Sequence, residues 1–191
     1  QEQIIAFDQE LEIEKNIKEV GQISDLISKK VKQQYEGYPY PRWSTLPNVS
    51  KMSMQYNVRV EILPNQWVNI LDSKNLKLAD VLIAGCGTGR QIFLAEGYLN
   101  ANILGVDLSL SSLTYAKRKT EELSFRNIKY LNADILELNK LTKKFDVIEC
   151  IGVLHHMKEP LKGLRILLDL LEPHGVLKIG LYSEKARQHI I

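Results

Sequence analysis

A glycine-rich loop between an apolar strand and a helix constrains this chain more than any other feature. The apolar run Val81–Ala84 leads into glycines at positions 85, 87 and 89, and residues 91–95 have the pattern of a helix. A strand, a glycine turn and a helix in this order form the opening of a βαβ unit. Glycine permits positive φ and removes the Cβ that would hold a ligand away from the backbone. The segment therefore predicts a ligand site where the strand ends and the helix begins.

The spacing of the glycines separates two classes of ligand. A dinucleotide fingerprint, G-x-G-x-x-G, would need glycine at position 90, which is Arg90 here. The next predicted strand ends in Asp107, and a carboxylate there can accept hydrogen bonds from both hydroxyls of a ribose. The pattern G-x-G-x-G followed by this acid resembles the class I S-adenosylmethionine (SAM)-dependent methyltransferases. It disfavours the alternative of an NAD(P)-dependent oxidoreductase.

Strands and helices alternate through the rest of the chain. We predict strands at 79–84, 102–106, 128–131, 145–151 and 176–182, and helices at 89–99, 109–123 and 159–172. This alternation predicts an α/β fold with a doubly wound, mostly parallel, Rossmann-like sheet. A complete sheet of the resembled family has two further strands, one of them antiparallel. Residues 183–191 look like the start of a helix, so the sequence leaves open whether those last strands are lacking.

The first part of the chain is predicted as an extension. We divide the sequence into an N-terminal helical and aromatic cap, residues 1–75, and a SAM-binding core, residues 76–191. Residues 3–34 have an apolar stripe and are predicted as two helical pieces with a break near 21–24, where Ser24 is a potential cap. Such a stripe could cover the face of the domain, a partner or a substrate cleft. A short strand at 58–63 and a short helix at 64–71 are expected before the core.

Residues 34–43 combine three tyrosines, a tryptophan and an arginine. Two prolines and a glycine argue against a helix there. Two interpretations stay open: an aromatic plug that pins the extension onto the core, or a lid whose tyrosines and Arg42 line the cleft. In the second, Arg42 could pair with the carboxylate of the methionyl group. The segment Tyr38–Trp43 also resembles one that precedes the SAM domain in bacterial methyltransferases with tetratricopeptide repeats.

The resemblance to the methyltransferases implies a set of cofactor residues. It places the glycine loop against the methionyl part and the ribose, Asp107 on the ribose hydroxyls, and Asp134 on the adenine amino group. The residue type alone leaves a turn or cap role open for Asp134. Many relatives carry an acid where this chain has Ile83, which puts in question the contacts to the ammonium end of the cofactor. The implied cofactor residues are Gly85, Cys86, Gly87, Gly89, Asp107, Leu108, Asp134 and Ile135.

The segment after the fourth core strand bears on the acceptor of the methyl group. It reads Gly152-Val153-Leu154-His155-His156 and lacks the Asn/Asp-Pro-Pro-Tyr/Phe turn by which nucleic-acid amine methyltransferases resemble one another. It is similar to the segment in methyltransferases that act on small molecules or side chains. His155 or His156 could serve as a general base, or line the cleft only. The prediction is methyl transfer from SAM to a small molecule or protein side chain, with S-adenosylhomocysteine (SAH) as product. The alternative is an inactive SAM- or SAH-binding or regulatory module.

Composition excludes several other classes. The net charge of +2 and the absence of a basic stripe disfavour a nucleic-acid partner. No apolar run reaches the roughly 18 residues of a membrane span, and the first residues do not resemble a signal peptide. We therefore expect a cytoplasmic protein in which Cys86 and Cys150 are reduced thiols. No paired Cys/His spacing predicts a zinc site, so no metal is expected.

Overall fold

The computed structural model describes residues 2–43, 52–53, 78–95, 98–99 and 101–183. The helices are α1 (Glu2–Glu14), α2 (Leu26–Gly37), α3 (Arg90–Ala95), α4 (Leu110–Glu122) and α5 (Pro160–Asp169). The strands are β1 (Lys18–Val20), β2 (Met52–Ser53), β3 (Ala79–Ala84), β4 (Tyr98–Leu99), β5 (Ala101–Asp107), β6 (Ile128–Ala133), β7 (Phe145–Ile151) and β8 (Leu171–Gly180). Short 3-10 turns span Ile135–Lys140 and Leu154–His156.

Six of the described strands form one sheet in the order β1-β6-β5-β3-β7-β8, and all its neighbouring pairs are parallel. This confirms the doubly wound α/β prediction. The strand β3 lies near the centre, with Val81 and Ile83 in the core on one face and Leu82 and Ala84 in the core on the other. Burial on both faces explains why residues 81–84 of this strand are continuously apolar in sequence. A second, small sheet pairs β2 with β4.

The prediction that residues 3–34 form two helices is wrong for the segment that connects the two helices. The residues Lys18–Val20 form the edge strand β1, which pairs in parallel with residues 131–133 of β6. The second helix begins after Asp25, whose carboxylate accepts the amides of Ile27 and Ser28 at 2.9 Å, and not after Ser24. The extension therefore joins the sheet, because β1 satisfies the backbone groups along the edge of β6.

Three other boundaries need correction. The helix α2 runs to Gly37, so the aromatic segment is partly helical and the helix ends before its first proline. The helix predicted at 89–99 ends at Ala95, and residues 98–99 are a strand. The helix predicted at 159–172 ends at Asp169. The strand β8 then begins at residue 171, but its pairing with β7 slips between Leu171 and Val176, around a proline that has no amide to donate.

The predictions for 58–63, 64–71 and the boundary between 75 and 76 fall outside the described residues. The predicted cap Ser109 is confirmed: its hydroxyl accepts the Ser112 amide at 3.1 Å at the start of α4. Helix α1 packs on α4, where Arg118 binds Glu10 at 2.9 Å. Among the described helices, none combines the length and the apolar character that a membrane crossing needs.

Candidate functional site

A cavity of about 540 Å³ lies at the carboxyl ends of the central strands. This volume is typical of small-molecule sites. From β3 the chain winds outward through β5 and β6 on one side and through β7 and β8 on the other. The cavity therefore lies at the topological switch point of a parallel sheet, where ligands of such folds bind. Of the residues singled out in the sequence, it brings together Gly85, Cys86, Gly87, Asp107, Leu108, Asp134, Ile135 and His156.

The glycine loop is held to the end of β5 by its backbone. The amides of Gly85 and Cys86 both donate to the carbonyl oxygen of Val106, at 2.8 and 2.9 Å. Gly85 and Gly87 both have positive φ, +76° and +51°. A Cβ on Gly85 would lie 2.3 Å from Cγ2 of Val153, whereas one on Gly87 would meet no heavy atom within 4 Å. The backbone of Gly87 is therefore the part of the loop that a ligand can approach most closely.

The third glycine of the loop has a different position. Gly89 is not among the described residues that line the cavity, and a Cβ there would lie 3.0 Å from that of Ala116. Its φ of +94° also favours glycine. Gly89 thus lets α3 start close to α4. Ile83 is buried in the core.

The carboxylate of Asp107 is oriented by two backbone amides. Oδ2 accepts a hydrogen bond from Gly87 N at 2.7 Å, and Oδ1 accepts one from Ser109 N at 2.9 Å. Burial raises the pKa of Asp107, the negative charge of Glu36 raises it further, and the amides of Ser109 and Gly87 act in the opposite direction. The buried side-chain amide of Asn132 donates to the carbonyl oxygens of Asp107 and Leu108 at 3.0 and 2.9 Å. Asn132 is thus a supporting residue that the sequence motifs did not identify.

Asp134 lies where β6 ends and both lines the cavity and caps a turn. Its Oδ1 accepts the Leu136 amide at 2.9 Å at the start of the Ile135–Lys140 turn. The side chain is 3% exposed, and Ile135 beside it also lines the cavity. Asp134 therefore caps the turn, as the sequence allowed, and it also lines the cavity.

Residues of the N-terminal segment close one side of the cavity. One face of α2 lines it, with side chains at helical spacing, and the chain after this helix adds two more. These lining residues are Ser28, Val31, Lys32, Tyr35, Tyr40 and Pro41. The sequence suggested the tyrosines of the aromatic segment, but nothing in the helix pattern separated this face from an ordinary core stripe.

Trp43 anchors the aromatic segment to the glycine loop. Its Nε1 donates to the carbonyl oxygen of Thr88 at 2.9 Å, and its ring centroid lies 4.0 Å from that of Phe93. The Thr88 hydroxyl donates to the carbonyl oxygen of Pro41 at 2.5 Å. Arg42 is exposed, lies with its guanidinium 5.5 Å from the ring centroid of Tyr115, and is not among the described lining residues. The segment thus pins the extension onto the core, and Tyr35 and Tyr40 line the cavity, whereas the predicted cleft position of Arg42 is wrong.

The far end of the cavity is formed where β7 and β8 end. Its wall there includes Met157, Leu181, Tyr182 and the exposed ring of His156. His155 is not among the described lining residues, and its ring centroid lies 4.1 Å from that of His156 and 4.4 Å from that of Tyr182. The structure therefore distinguishes between two histidines that the sequence could not rank.

Both cysteines are free and buried. Burial raises the pKa of Cys86 well above its ordinary value and that of Cys150 to about 12. Neither thiol is therefore activated as a nucleophile. The described residues contain no group of three or more His, Cys, Asp or Glu that could hold a metal ion.

The comparison with protein families agrees with the fold and with the glycine loop described above. The model of a methyltransferase domain family matches residues 73–190, which is more than half of the chain. This chain belongs to the class I SAM-dependent methyltransferase family. The matched range contains the glycine loop, Asp107, Asp134 and the segment that carries His156.

Relatives of this methyltransferase domain come from several bacteria. An uncharacterized protein of Synechococcus is 30% identical over 169 residues, which are 87% of this chain and 40% of that protein. A ubiquinone biosynthesis O-methyltransferase of Coxiella burnetii is 36% identical over 104 residues, 53% of this chain and 43% of that enzyme. A solved SAM-dependent methyltransferase of Clostridium acetobutylicum has a TM-score of 0.50 and 26% identity, over 58% of this chain and 46% of that one.

Two facts follow from the extent of these matches. The chain spans less than half the length of these curated relatives. A match of 169 residues is also too long to fit within residues 73–190, so the similarity to the Synechococcus protein extends into the N-terminal segment.

Proposed function

We propose that this methyltransferase domain binds SAM in the cavity and transfers its methyl group to a small molecule or a protein side chain. The observation that carries the proposal is the meeting of the glycine loop, Asp107 and Asp134 in one cavity at the switch point of the sheet. These residues come from three separate strand ends. The match to a methyltransferase domain family over residues 73–190 supports the same cofactor class.

The proposed pose of the cofactor follows from the chemistry of the walls. Asp107 would accept hydrogen bonds from the ribose hydroxyls, and Leu108 would pack beside the adenine. Asp134 would accept from the adenine amino group, with Ile135 against the ring. The methionyl part would lie on the backbone of Gly85–Gly87, where Gly87 leaves room. Gly89 would contribute by setting the loop geometry, since it is not among the described lining residues.

Methyl transfer from a sulfonium requires little chemistry from the protein. The leaving group is activated by its own positive charge, so the cavity would mainly align the acceptor with the methyl group and exclude water. An acceptor hydroxyl or ammonium group must lose a proton in the process. We propose His156 for that role because it lines the cavity, and we leave Arg42 and His155 outside the site.

The nature of the acceptor is proposed from charge and apolar surface. The walls beyond the cofactor residues carry Met157, Leu181 and Tyr182, and the net charge of the chain is close to zero. Both features favour a small molecule or side chain over a nucleic acid. The second candidate function is a module that binds SAM or SAH without turnover, and the buried Ile83 in place of an acid favours it.

Calorimetric titration with SAH, with NADH as the control ligand, tests the cofactor. We expect micromolar binding of SAH alone. Binding of NADH, or of neither ligand, would contradict the proposal. Incubation with methyl-labelled SAM and pools of phenols, amines and protein substrates then tests transfer. If SAH binds but no pool acquires label, the non-catalytic module is the better description.

His156→Asn and His155→Asn form a matched pair for the acceptor end. We expect His156→Asn to lower the turnover rate with little change in SAH affinity, and His155→Asn to lower turnover less. Equal turnover in the wild type and His156→Asn would show that His156 is not the general base.

A further inference from the structure

The helix that follows Asp107 is capped by a carboxylate from the N-terminal segment. Oε1 of Glu36 accepts the Leu110 amide at 3.0 Å, and Oε2 accepts the Ser111 amide at 2.9 Å and the Ser111 hydroxyl at 2.6 Å. The side chain of Ser109, the internal cap of α4, accepts the Ser112 amide. Glu36 therefore accepts hydrogen bonds from two amides of the first turn that do not bind the Ser109 side chain.

The charge of Glu36 suits this position. A negative charge at the N-terminus of a helix is stabilised by the helix dipole. Burial acts to raise the pKa of Glu36, but the hydrogen bonds from Ser111 and Leu110 outweigh it and hold the pKa below its usual range. Lys32 Nζ lies 3.9 Å from Oε1 and adds to this effect. The carboxylate is thus an ionised acceptor at neutral pH.

Ser109 connects Glu36 to the acid of the cavity. Its amide donates to Oδ1 of Asp107 at 2.9 Å, and its hydroxyl lies 3.5 Å from Oε2 of Glu36. The other carboxylate oxygen of Asp107 is held by Gly87. A shift of the first turn of α4 would move the Ser109 amide and so turn the Asp107 carboxylate away from the cavity.

We propose that Glu36 is a positioning residue of the cofactor site, which fixes the Asp107 carboxylate through Ser109 and the first turn of α4. This inference rests on the proposed function, because it concerns the acid assigned to the ribose. Glu36 is also part of α2, one face of which lines the cavity. The carboxylate of Glu36 therefore fixes both α2, which lines the cavity, and Asp107, the acid assigned to the ribose.

Glu36→Gln tests the inference, since it keeps the shape of the side chain and removes its charge. We expect about tenfold weaker SAH binding, which corresponds to the loss of one charge-assisted hydrogen bond. Glu121→Gln is the matched control, an exposed carboxylate on α4 3.9 Å from Lys117, and should bind like the wild type. If Glu36→Gln also binds like the wild type, the inference is wrong.

A double-mutant cycle separates positioning from a general loss of stability. Combined with Asp107→Ala, Glu36→Gln should cost less than twofold in SAH affinity, because the side chain through which it acts is already removed. A full tenfold loss in the Asp107→Ala background would show that Glu36 acts by another route and would overturn the proposal.

A measurement without cofactor keeps this inference distinct from the proposed function. The amide of Gly87 binds Asp107 but has no contact with Glu36 among the described hydrogen bonds. In Glu36→Gln, we expect its hydrogen exchange to quicken about tenfold and its NMR resonance to shift, with no change in Glu121→Gln. An unchanged Gly87 amide would refute the positioning role even if SAH binds. If the Gly87 amide responds but the wild type binds no SAH, the coupling stands and the proposed function fails.

Discussion

The Gly87 amide donates a 2.7 Å hydrogen bond to Oδ2 of Asp107 and so joins the glycine loop to the acid at the end of β5. These two features are separated by 20 positions in sequence. The bond orients the carboxylate from the loop side, while Ser109 orients it from the helix side. The loop and the acid therefore act as one unit, and changes in either should affect the same ligand.

Replacement of Asp107 should weaken the cofactor site directly. We expect Asp107→Ala to weaken SAH binding by about 1–3 kcal/mol, because hydrogen bonds to a charged acceptor are lost. Asp169→Ala, at an exposed acid at the end of α5, is the control and should bind like the wild type. Calorimetry on both folded variants provides the measurement. Unchanged affinity in Asp107→Ala would place the ribose elsewhere.

Two glycines of the loop should respond differently to the same substitution. Gly85→Ala should destabilise the fold by about 3 kcal/mol, since the strain of positive φ adds to a collision with Val153. Gly87→Ala carries only the strain and should cost about 1 kcal/mol. Its Cβ would enter the space of the ligand, however, and weaken SAH binding by about tenfold. Urea unfolding and calorimetry would measure the two effects, and equal stability losses would contradict the geometry.

Gly87→Val extends this test to a bulkier side chain. Its branches would block the loop, so we expect SAH binding to be lost. A folded Gly87→Val variant with normal affinity would show that the ligand does not approach the loop.

Trp43 should matter for stability more than the other aromatic residues of its segment. Trp43→Ala removes the packing on Phe93 and Tyr115 and the hydrogen bond to Thr88, and we expect a loss of about 2–4 kcal/mol in the free energy of unfolding. Tyr38→Ala is the control, because Tyr38 is 84% exposed and should change stability by less than about 0.5 kcal/mol. Similar unfolding midpoints for the two variants would argue against the anchor.

The contribution of Glu36 to stability should depend on pH in a defined direction. The pKa of Glu36 is lower in the folded chain than its ordinary value of 4.5, so the unfolded chain binds more protons between the two values. Its stabilisation is therefore complete above pH 4.5 and is lost as the pH falls through the folded pKa. We expect the difference in unfolding free energy between wild type and Glu36→Gln to be constant from pH 5 to 7 and to shrink below 4.5. A difference that persists unchanged to pH 3 would count against an ionised cap.

The sequence by itself determined the central sheet and the cofactor loop. The strands β3, β5, β6 and β7 are short segments rich in apolar residues, and the glycine spacing with Asp107 indicated the family. These signals are local: burial on both faces makes a strand continuously apolar, and a tight turn with positive φ selects glycine.

Only the tertiary structure decided how the N-terminal segment is used. The strand β1 has three residues and no apolar alternation, and it forms because the edge of β6 offers unpaired backbone groups. The hydrogen bonds of Glu36 to Leu110 and Ser111 join residues that are 74 and 75 positions apart in sequence. The hydrogen bond from Trp43 to the carbonyl oxygen of Thr88 joins residues that are 45 positions apart. Which histidine faces the cavity likewise depends on one turn after β7. A residue's type records what it can bind, but the partner is chosen by packing between segments distant in sequence.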